Sequence, residues 1–393
     1  MAKIFDPKKV LKRTSKALRQ QLFTERFPLA GVPWDGLSET DVEPIFQAWQ
    51  RLPDAERNDV QVLLQDFNDL SEERGLCVLA EEVRARCPDR AAEFAALEAR
   101  CDRPLWVYLN VPDAFEKAAL FARADTLAAG RYWVKRNSLP RQATAFTQEL
   151  KKAVEVALTG YYWPTQMRGR YCFIEHLQRA NGAEYFFAYL DDYPDKRFVY
   201  EDSGKMVRRS DRYAFTNVFV VNPNEGSLEM FAKGGWKVQE PLQAAFCKAM
   251  FGRDIDPADP LEPAYQLDHL LHPAYVFRTD AADRVAEAKI IRMRLFECDD
   301  PDQYFEVGVG PKCDAQAIHR KLARHLAGLD MPAAKFRVKH VTFRLTFMSD
   351  GQRRADTLTF HVAWPKHCDL KSKREGRREV GERCLKLWEV SRG

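Results

Sequence analysis

The feature that most constrains this chain is a change of hydrophobic period near Gly160. Before it, apolar residues recur at helical spacing. After it they alternate, in runs such as YCFIEHLQ, EYFFAYLDD and DRYAFTNVFVVN that are punctuated by turn residues. The two periods bury different faces, so such a chain folds as a helical module followed by sheets. The expected class is α+β: an all-helical module over residues 1–160, an antiparallel sheet with a covering helix over 161–252, and a second α+β unit with a basic C-terminal helix over 264–393. The proline- and aspartate-rich stretch 253–263 reads as the linker.

Within the first module, Asp6-Pro7 supplies an N-cap acceptor and a proline at the first helical position. Leu11, Leu18 and Leu22 then form a stripe, with Lys8, Lys9, Lys12, Arg13, Lys16 and Arg19 around it. This predicts a basic amphipathic helix that either meets phosphates or is simply a solvated face. Helical spacing continues through Val60, Leu63, Leu64 and Phe67 and through alanine-rich segments to Arg100. Further helices are expected over Phe115–Leu127 and from Phe146 to Leu158, with one short strand at LWVYL (residues 105–109).

In the sheet region, Ala180-Asn181-Gly182, Asp202-Ser203-Gly204 and Asn222 to Gly226 are hairpin turns. Glu184 to Leu190 is apolar on both faces, which predicts a central strand covered on both sides. Pro241 is expected to open the covering helix and Gly252 to end it. In the last unit, strands are expected near Tyr275–Arg278, Ala288–Phe296, Tyr304–Val309, Lys335–Met348 and Thr357–Trp364. A helix should run from Ala315 to Leu329 with Ile318, Leu322, Leu326 and Leu329 facing inward, and a last helix over Glu379–Val390.

Charge is distributed unevenly. Residues 1–24 carry seven Lys/Arg against one acid, residues 35–102 carry seven Arg against 17 acids, and residues 335–393 carry 15 Lys/Arg against seven acids. The basic ends suit DNA or RNA, the acidic helical module 35–102 suits a basic protein partner, and the ends also suit docking on the chain's own acids. No apolar run reaches the roughly 20 residues a membrane span needs, and the first residues lack a signal-peptide centre, so a cytoplasmic protein with no membrane contact is expected. Nine cysteines without a CxxC pair point to reduced, mostly packed thiols.

Chemistry-bearing motifs are sparse. Glu287-Ala-Lys289, preceded by Asp268, Asp280 and Asp283, has the loosest form of a metal-dependent nuclease pattern, in which carboxylates hold Mg²⁺. Asp268-His269-x-x-His272 and His361 with His367-Cys368 offer partial ligand sets, short of the four that a closed zinc site needs. His325 reads as a packed histidine. No phosphate-loop, dinucleotide, nucleophile-elbow or zincin motif occurs, so no catalytic residue, metal ligand or cofactor is assigned.

Two stretches remain as candidate nucleic-acid contacts. In GYYWPTQMRGRYCF, Trp163, Arg168 and Arg170 interleave aromatic faces with cations, which suits base stacking on a single strand and equally suits a core. Near the C-terminus, Arg353, Arg354, Lys371, Lys373, Arg374, Arg377 and Arg378 form a basic rim for sequence-independent phosphate binding. The strings YFFAYLDDYPDKRFVYEDSGKMVRR and CDLKSKREGRREVGERCLKLW resemble an uncharacterised bacterial protein family over Tyr171 to the C-terminus, through general pattern and without an invariant motif. The resemblance implies an accessory role, for example in a mobile or antiviral locus, and carries no active site. The reading favoured is a non-catalytic nucleic-acid-associated accessory or sensor protein, with an interaction scaffold and a metal-dependent nuclease as alternatives.

Overall fold

The computed structural model describes residues 5–130, 132–141, 145–201, 203–256, 263–300, 302–349 and 356–391. The chain divides into two compact units. One comprises Met1–Thr126, Arg179–Asn181 and Pro194–Asp211, and the other Leu127–Gln178, Gly182–Tyr193 and Arg212–Gly393.

The first unit carries the helices α1 (Pro7–Arg13), α2 (Lys16–Gln21), α3 (Glu43–Gln50), α4 (Asp54–Leu70), α5 (Glu73–Arg86), α6 (Ala91–Ala96), α7 (Asp102–Asn110) and α8 (Pro112–Ala128). Asp6 caps α1 by accepting from the Lys9 N–H at 3.2 Å, with Pro7 following it as expected. The anticipated single basic helix breaks at Thr14–Ser15, where the Ser15 N–H donates to Asp102 Oδ1 at 2.7 Å. Arg19 is a correction to the expected stripe. Its guanidinium is 1% exposed and donates to the carbonyls of Leu11 (2.8 Å) and Glu39 (2.6 Å). Lys8 pairs with Glu43 at 2.8 Å, so part of the N-terminal charge docks on the acidic helices, while Lys9, Lys12 and Arg13 stay exposed.

The expected strand LWVYL is instead part of α7. Leu105, Trp106, Val107 and Leu109 are all buried, and a short apolar run buried all round has no period by which to tell helix from strand. Arg179 sits 7% exposed against Asp125 (3.2 Å) and Glu81 (2.9 Å), an ion triad inside this unit.

The second unit holds two five-stranded antiparallel sheets, except for the stretch Pro194–Asp211 of the first sheet, which is part of the first unit. The first is ordered β1-β5-β4-β3-β2, with β1 (Trp133–Arg136), β2 (Cys172–Gln178), β3 (Glu184–Tyr200), β4 (Met206–Asn222) and β5 (Ser227–Phe231). Helices α9 (Gln148–Gln166) and α10 (Trp236–Phe251) cover one face, where Val154, Leu158 and Phe246 meet Phe186, Leu190 and Phe219. On the other face Tyr185, Phe187, Val218 and Val220 are buried as well. β3 is thus apolar on both sides as read, and lies one place in from the edge. The hairpin turns fall where expected, Asp202 of the second lying outside the described residues. Pro241, however, lies inside α10 and does not open it, and β1 was not anticipated.

The second sheet is ordered β10-β9-β8-β6-β7, with β6 (Val285–Glu297), β7 (Tyr304–Gly308), β8 (Phe336–Phe347), β9 (Thr357–Ala363) and β10 (His367–Cys368). Helices α11 (Ala317–Leu329) and α12 (Glu375–Leu387) contribute Ile318, Leu322, Leu326, Val380 and Cys384 to one core with Phe343, Leu345 and Trp388. Leu329 is 47% exposed at the helix end, and Tyr275–Arg278 is a loop whose Tyr275 and Phe277 pack at Trp388. All nine cysteines are free; burial pushes Cys172, Cys247, Cys368 and Cys384 up to about 12, which keeps them protonated.

A polar seam joins the sheets edge to edge. The Lys135 N–H donates to the Lys366 carbonyl at 3.2 Å across β1 and the β9–β10 turn. Around this contact Lys366 pairs with Glu240 (3.1 Å), Lys135 and Lys386 with Glu225 (3.1 and 3.3 Å), and Lys371 with Glu229, which also accepts from the Trp133 indole. Burial alone would raise the Glu229 carboxyl, but Lys371 and Lys135 and the hydrogen bonds from Lys371 and Trp133 hold it down at about 2.

Candidate nucleic-acid interface

The aromatic stretch expected at the entrance to the sheet forms the last turns of α9 and the turn into β2. Thr147 caps the start of the helix, accepting from the Leu150 N–H, and Met167 ends it in the left-handed region at φ 56°. Gly169 follows at φ 67°. A Cβ there would stand 2.7 Å from the Tyr162 Cβ, so the close backbone approach requires glycine. This tight turn separates two arginines that look equivalent in sequence.

Arg168 points inward. Its guanidinium pairs with Asp192 (3.0 Å), donates to Gln166 Oε1 (2.9 Å) and lies 4.2 Å from the Phe215 ring centroid. Beside it Tyr162 is fully buried and accepts from Asn217 Nδ2 at 2.9 Å; burial pushes its phenol up to about 12 despite that bond and Arg168. Arg168 and Tyr162 therefore hold the fold together, as the core alternative proposed.

Arg170 points outward. Its guanidinium lies 5.6 Å from the ring centroids of both Trp163 and Tyr171, and all three side chains are exposed. Two residues on along β2, Phe173 is 57% exposed with Lys151 Nζ 4.2 Å from its ring centroid. Trp163, Arg170, Tyr171, Phe173 and Lys151 make a strip of exposed rings, each next to a cation. Phe173 and Lys151 were not anticipated in this role, although the alternation Tyr171-x-Phe173 in the sequence places both rings on one side of β2.

The C-terminal rim is built differently. Lys371 belongs to the seam, Lys373 pairs with Asp369 (2.9 Å), Arg378 with Glu382 (3.6 Å), and Arg377 with Asp356 (2.8 Å) while its guanidinium covers the Phe347 ring at 3.5 Å. Arg374, at the start of α12, is exposed and has no ion pair among the described residues. Arg353 and Arg354 lie outside the described residues.

The nuclease carboxylates do not converge. Asp268 is held by Arg337 (2.6 Å) and the Val338 N–H, Asp280 caps the turn at Ala282, and Asp283 pairs with Arg383. Lys289 is 4% exposed, with Nζ donating to the Cys313 carbonyl at 2.7 Å and paired with Glu287. Among the described residues no three His, Cys, Asp or Glu side chains gather where an ion would fit. His269 bonds the Trp388 carbonyl and His361 pairs with Asp369, while His325, expected to be packed, is exposed against Phe305 and His319 is the buried histidine of α11.

No helix among the described residues is long and apolar enough to cross a membrane. Compared with protein-family models, curated proteins and solved structures, the chain matches none.

Proposed function

We propose that the protein is a non-catalytic, nucleic-acid-associated accessory or sensor protein that holds single-stranded DNA or RNA on the strip around Arg170. The observation that carries this reading is the exposed Trp163–Arg170–Tyr171 stack. A guanidinium between two solvent-facing rings offers a stacking plane on either side and a charge for the backbone, and stacking is indifferent to base identity. Large exposed aromatics in a row are costly to leave in water and mark interaction surfaces more often than chance.

The test is fluorescence anisotropy with a labelled oligonucleotide at several salt concentrations. Trp163→Ala with Arg170→Gln should weaken binding at least about tenfold, since one base–aromatic stack contributes about 1–3 kcal/mol, and should leave the melting temperature unchanged. Absence of binding by the parent protein at low salt would refute the proposal.

A second reading rests on α4. Burial, with Asp69 and Glu116 beside it, pushes Asp66 up to about 6 against the opposing pull of Arg123, so this face holds mutually repelling carboxylates. A basic protein partner would relieve that repulsion, and a nuclease-resistant co-purifying protein would favour the scaffold alternative.

A further inference from the structure

The longest strands of the chain, β3 and β4, are 17 residues each, yet their outer neighbours accompany them only part of the way. β2 pairs with β3 over Glu184–Leu190, and β5 pairs with β4 over Val218–Asn222. Within Pro194–Asp211 the two strands therefore have only each other as sheet neighbours among the described residues. The turn is closed by the Glu201 N–H on the Lys205 carbonyl (3.0 Å) and the Gly204 N–H on the Glu201 carbonyl (2.8 Å). This sets Tyr200 opposite Met206, and Phe198 opposite Arg208, whose guanidinium lies 5.8 Å from the Phe198 ring centroid.

The two faces of this ribbon differ in chemistry. On the odd-numbered face Arg197 is neutralised by Asp195 (2.8 Å) and Arg209 by Asp211 (2.6 Å) along their own strands, and Val199 and Val207 are half-buried. The even-numbered face carries Lys196, Phe198, Tyr200, Met206, Arg208 and Ser210, all exposed and without an acid among them. Phe198, Tyr200 and Met206 are 67%, 76% and 54% exposed. A two-stranded ribbon has little stability to spare for three solvated apolar side chains, so a face of this composition is better explained by a ligand than by folding.

We infer that the even-numbered face of the Pro194–Asp211 ribbon is a contact surface for single-stranded nucleic acid. Phe198 and Tyr200 stand two residues apart on one strand, about 6.6 Å by strand rise, and present rings on which successive bases stack. Lys196 and Arg208 flank them and attract the backbone phosphates. Open sheet surfaces bind single strands by this combination, because every base has a stacking face and the backbone charge needs no sequence match. The strand carboxylates Asp195 and Asp211 lie on the opposite face, which favours a polyanion over a protein of mixed charge. The inference rests on the nucleic-acid reading above, but on different residues.

The experiment compares the parent chain with Phe198→Ser/Tyr200→Ser, Lys196→Gln/Arg208→Gln and Trp163→Ala/Arg170→Gln. Each is titrated against a labelled oligo(dT) of about 20 nucleotides, long enough for a typical single-strand site, with a duplex of equal length as competitor. The aromatic ribbon variant should bind at least about tenfold more weakly. The cation variant should lower the slope of log affinity against log salt by about 1.4, for two phosphate contacts on a single strand. All the substituted side chains are exposed, so circular dichroism and melting should match the parent. Ribbon variants that bind within about twofold of the parent while the Trp163/Arg170 variant loses affinity would overturn this inference and leave the proposed function standing. Failure of the parent to bind would remove both. Stronger competition by the duplex would also overturn it, as would a ribbon variant that alters sedimentation without altering oligonucleotide affinity, which would assign the face to a contact between copies.

Discussion

The seam at Lys371 and the strip at Arg170 are two cationic, aromatic-flanked regions whose roles have come apart. Lys371 lies 4.6 Å over the Trp133 ring and is tied to Glu229, 142 residues away in the chain. Arg170 lies between Trp163 and Tyr171 with its charge facing water. Both segments offer a cation and a ring. What separates them is whether a distant strand brings a carboxylate, and the comparison teaches that local charge density is a poor guide to phosphate binding unless the partners of each charge are known.

The largest expected effect sharpens this contrast. Lys371→Met should destabilise the protein by about 3 kcal/mol, the low end for removing one partner of a buried ion pair, because Lys135 and Trp133 still face Glu229. Oligonucleotide affinity should stay unchanged. Chemical denaturation reads the first quantity and anisotropy the second; loss of affinity without loss of stability would return Lys371 to the phosphate-binding role.

Acid should act on the same seam. The Glu229 carboxyl titrates near 2 in the folded protein against an ordinary 4.5, so its contribution is fully present above pH 4.5 and is lost as pH falls towards 2. Glu229→Gln should remove that part of the acid sensitivity in pH-dependent unfolding.

Gly169→Ala tests the turn that sends Arg168 in and Arg170 out. An alanine there combines positive φ with a collision at the Tyr162 Cβ, a strain of about 1–3 kcal/mol. It should lower stability and weaken oligonucleotide binding together, whereas Arg170→Gln should weaken binding alone. If the alanine variant kept full affinity, the turn would not be what positions the strip.

The smallest effect has the opposite sign. Asp66 is raised from 3.8 to about 6, so its charge destabilises the fold, fully above pH 6 and progressively less as pH falls to 3.8. Asp66→Asn should raise stability at neutral pH by about 1 kcal/mol, allowing for partial solvation. No gain would mean that the neighbouring acids are relieved by solvent.

Much of the architecture was legible from local pattern. The three hairpin turns, the cap at Asp6-Pro7 and the stripe Ile318, Leu322, Leu326 depend on neighbours a few residues apart, and all are in place. LWVYL was misread because burial on every side erases periodicity, and Arg19 because a buried guanidinium that donates to two carbonyls has the same spacing as a solvated one. The ribbon face was open to a period-two reading of KRFVY and KMVRR, but its isolation depends on where β2 and β5 stop.

By itself, then, the sequence determined the α+β class, the order of helices before sheets, the hairpin positions and the presence of cations beside rings, since hydrophobic period and turn chemistry act locally. Tertiary structure alone decided which of those cations are free. Ion pairing is a matter of through-space distances of a few ångströms between strands far apart in the chain, and the pairing of Lys371 with Glu229 and the solvent exposure of Arg170 both follow from that geometry.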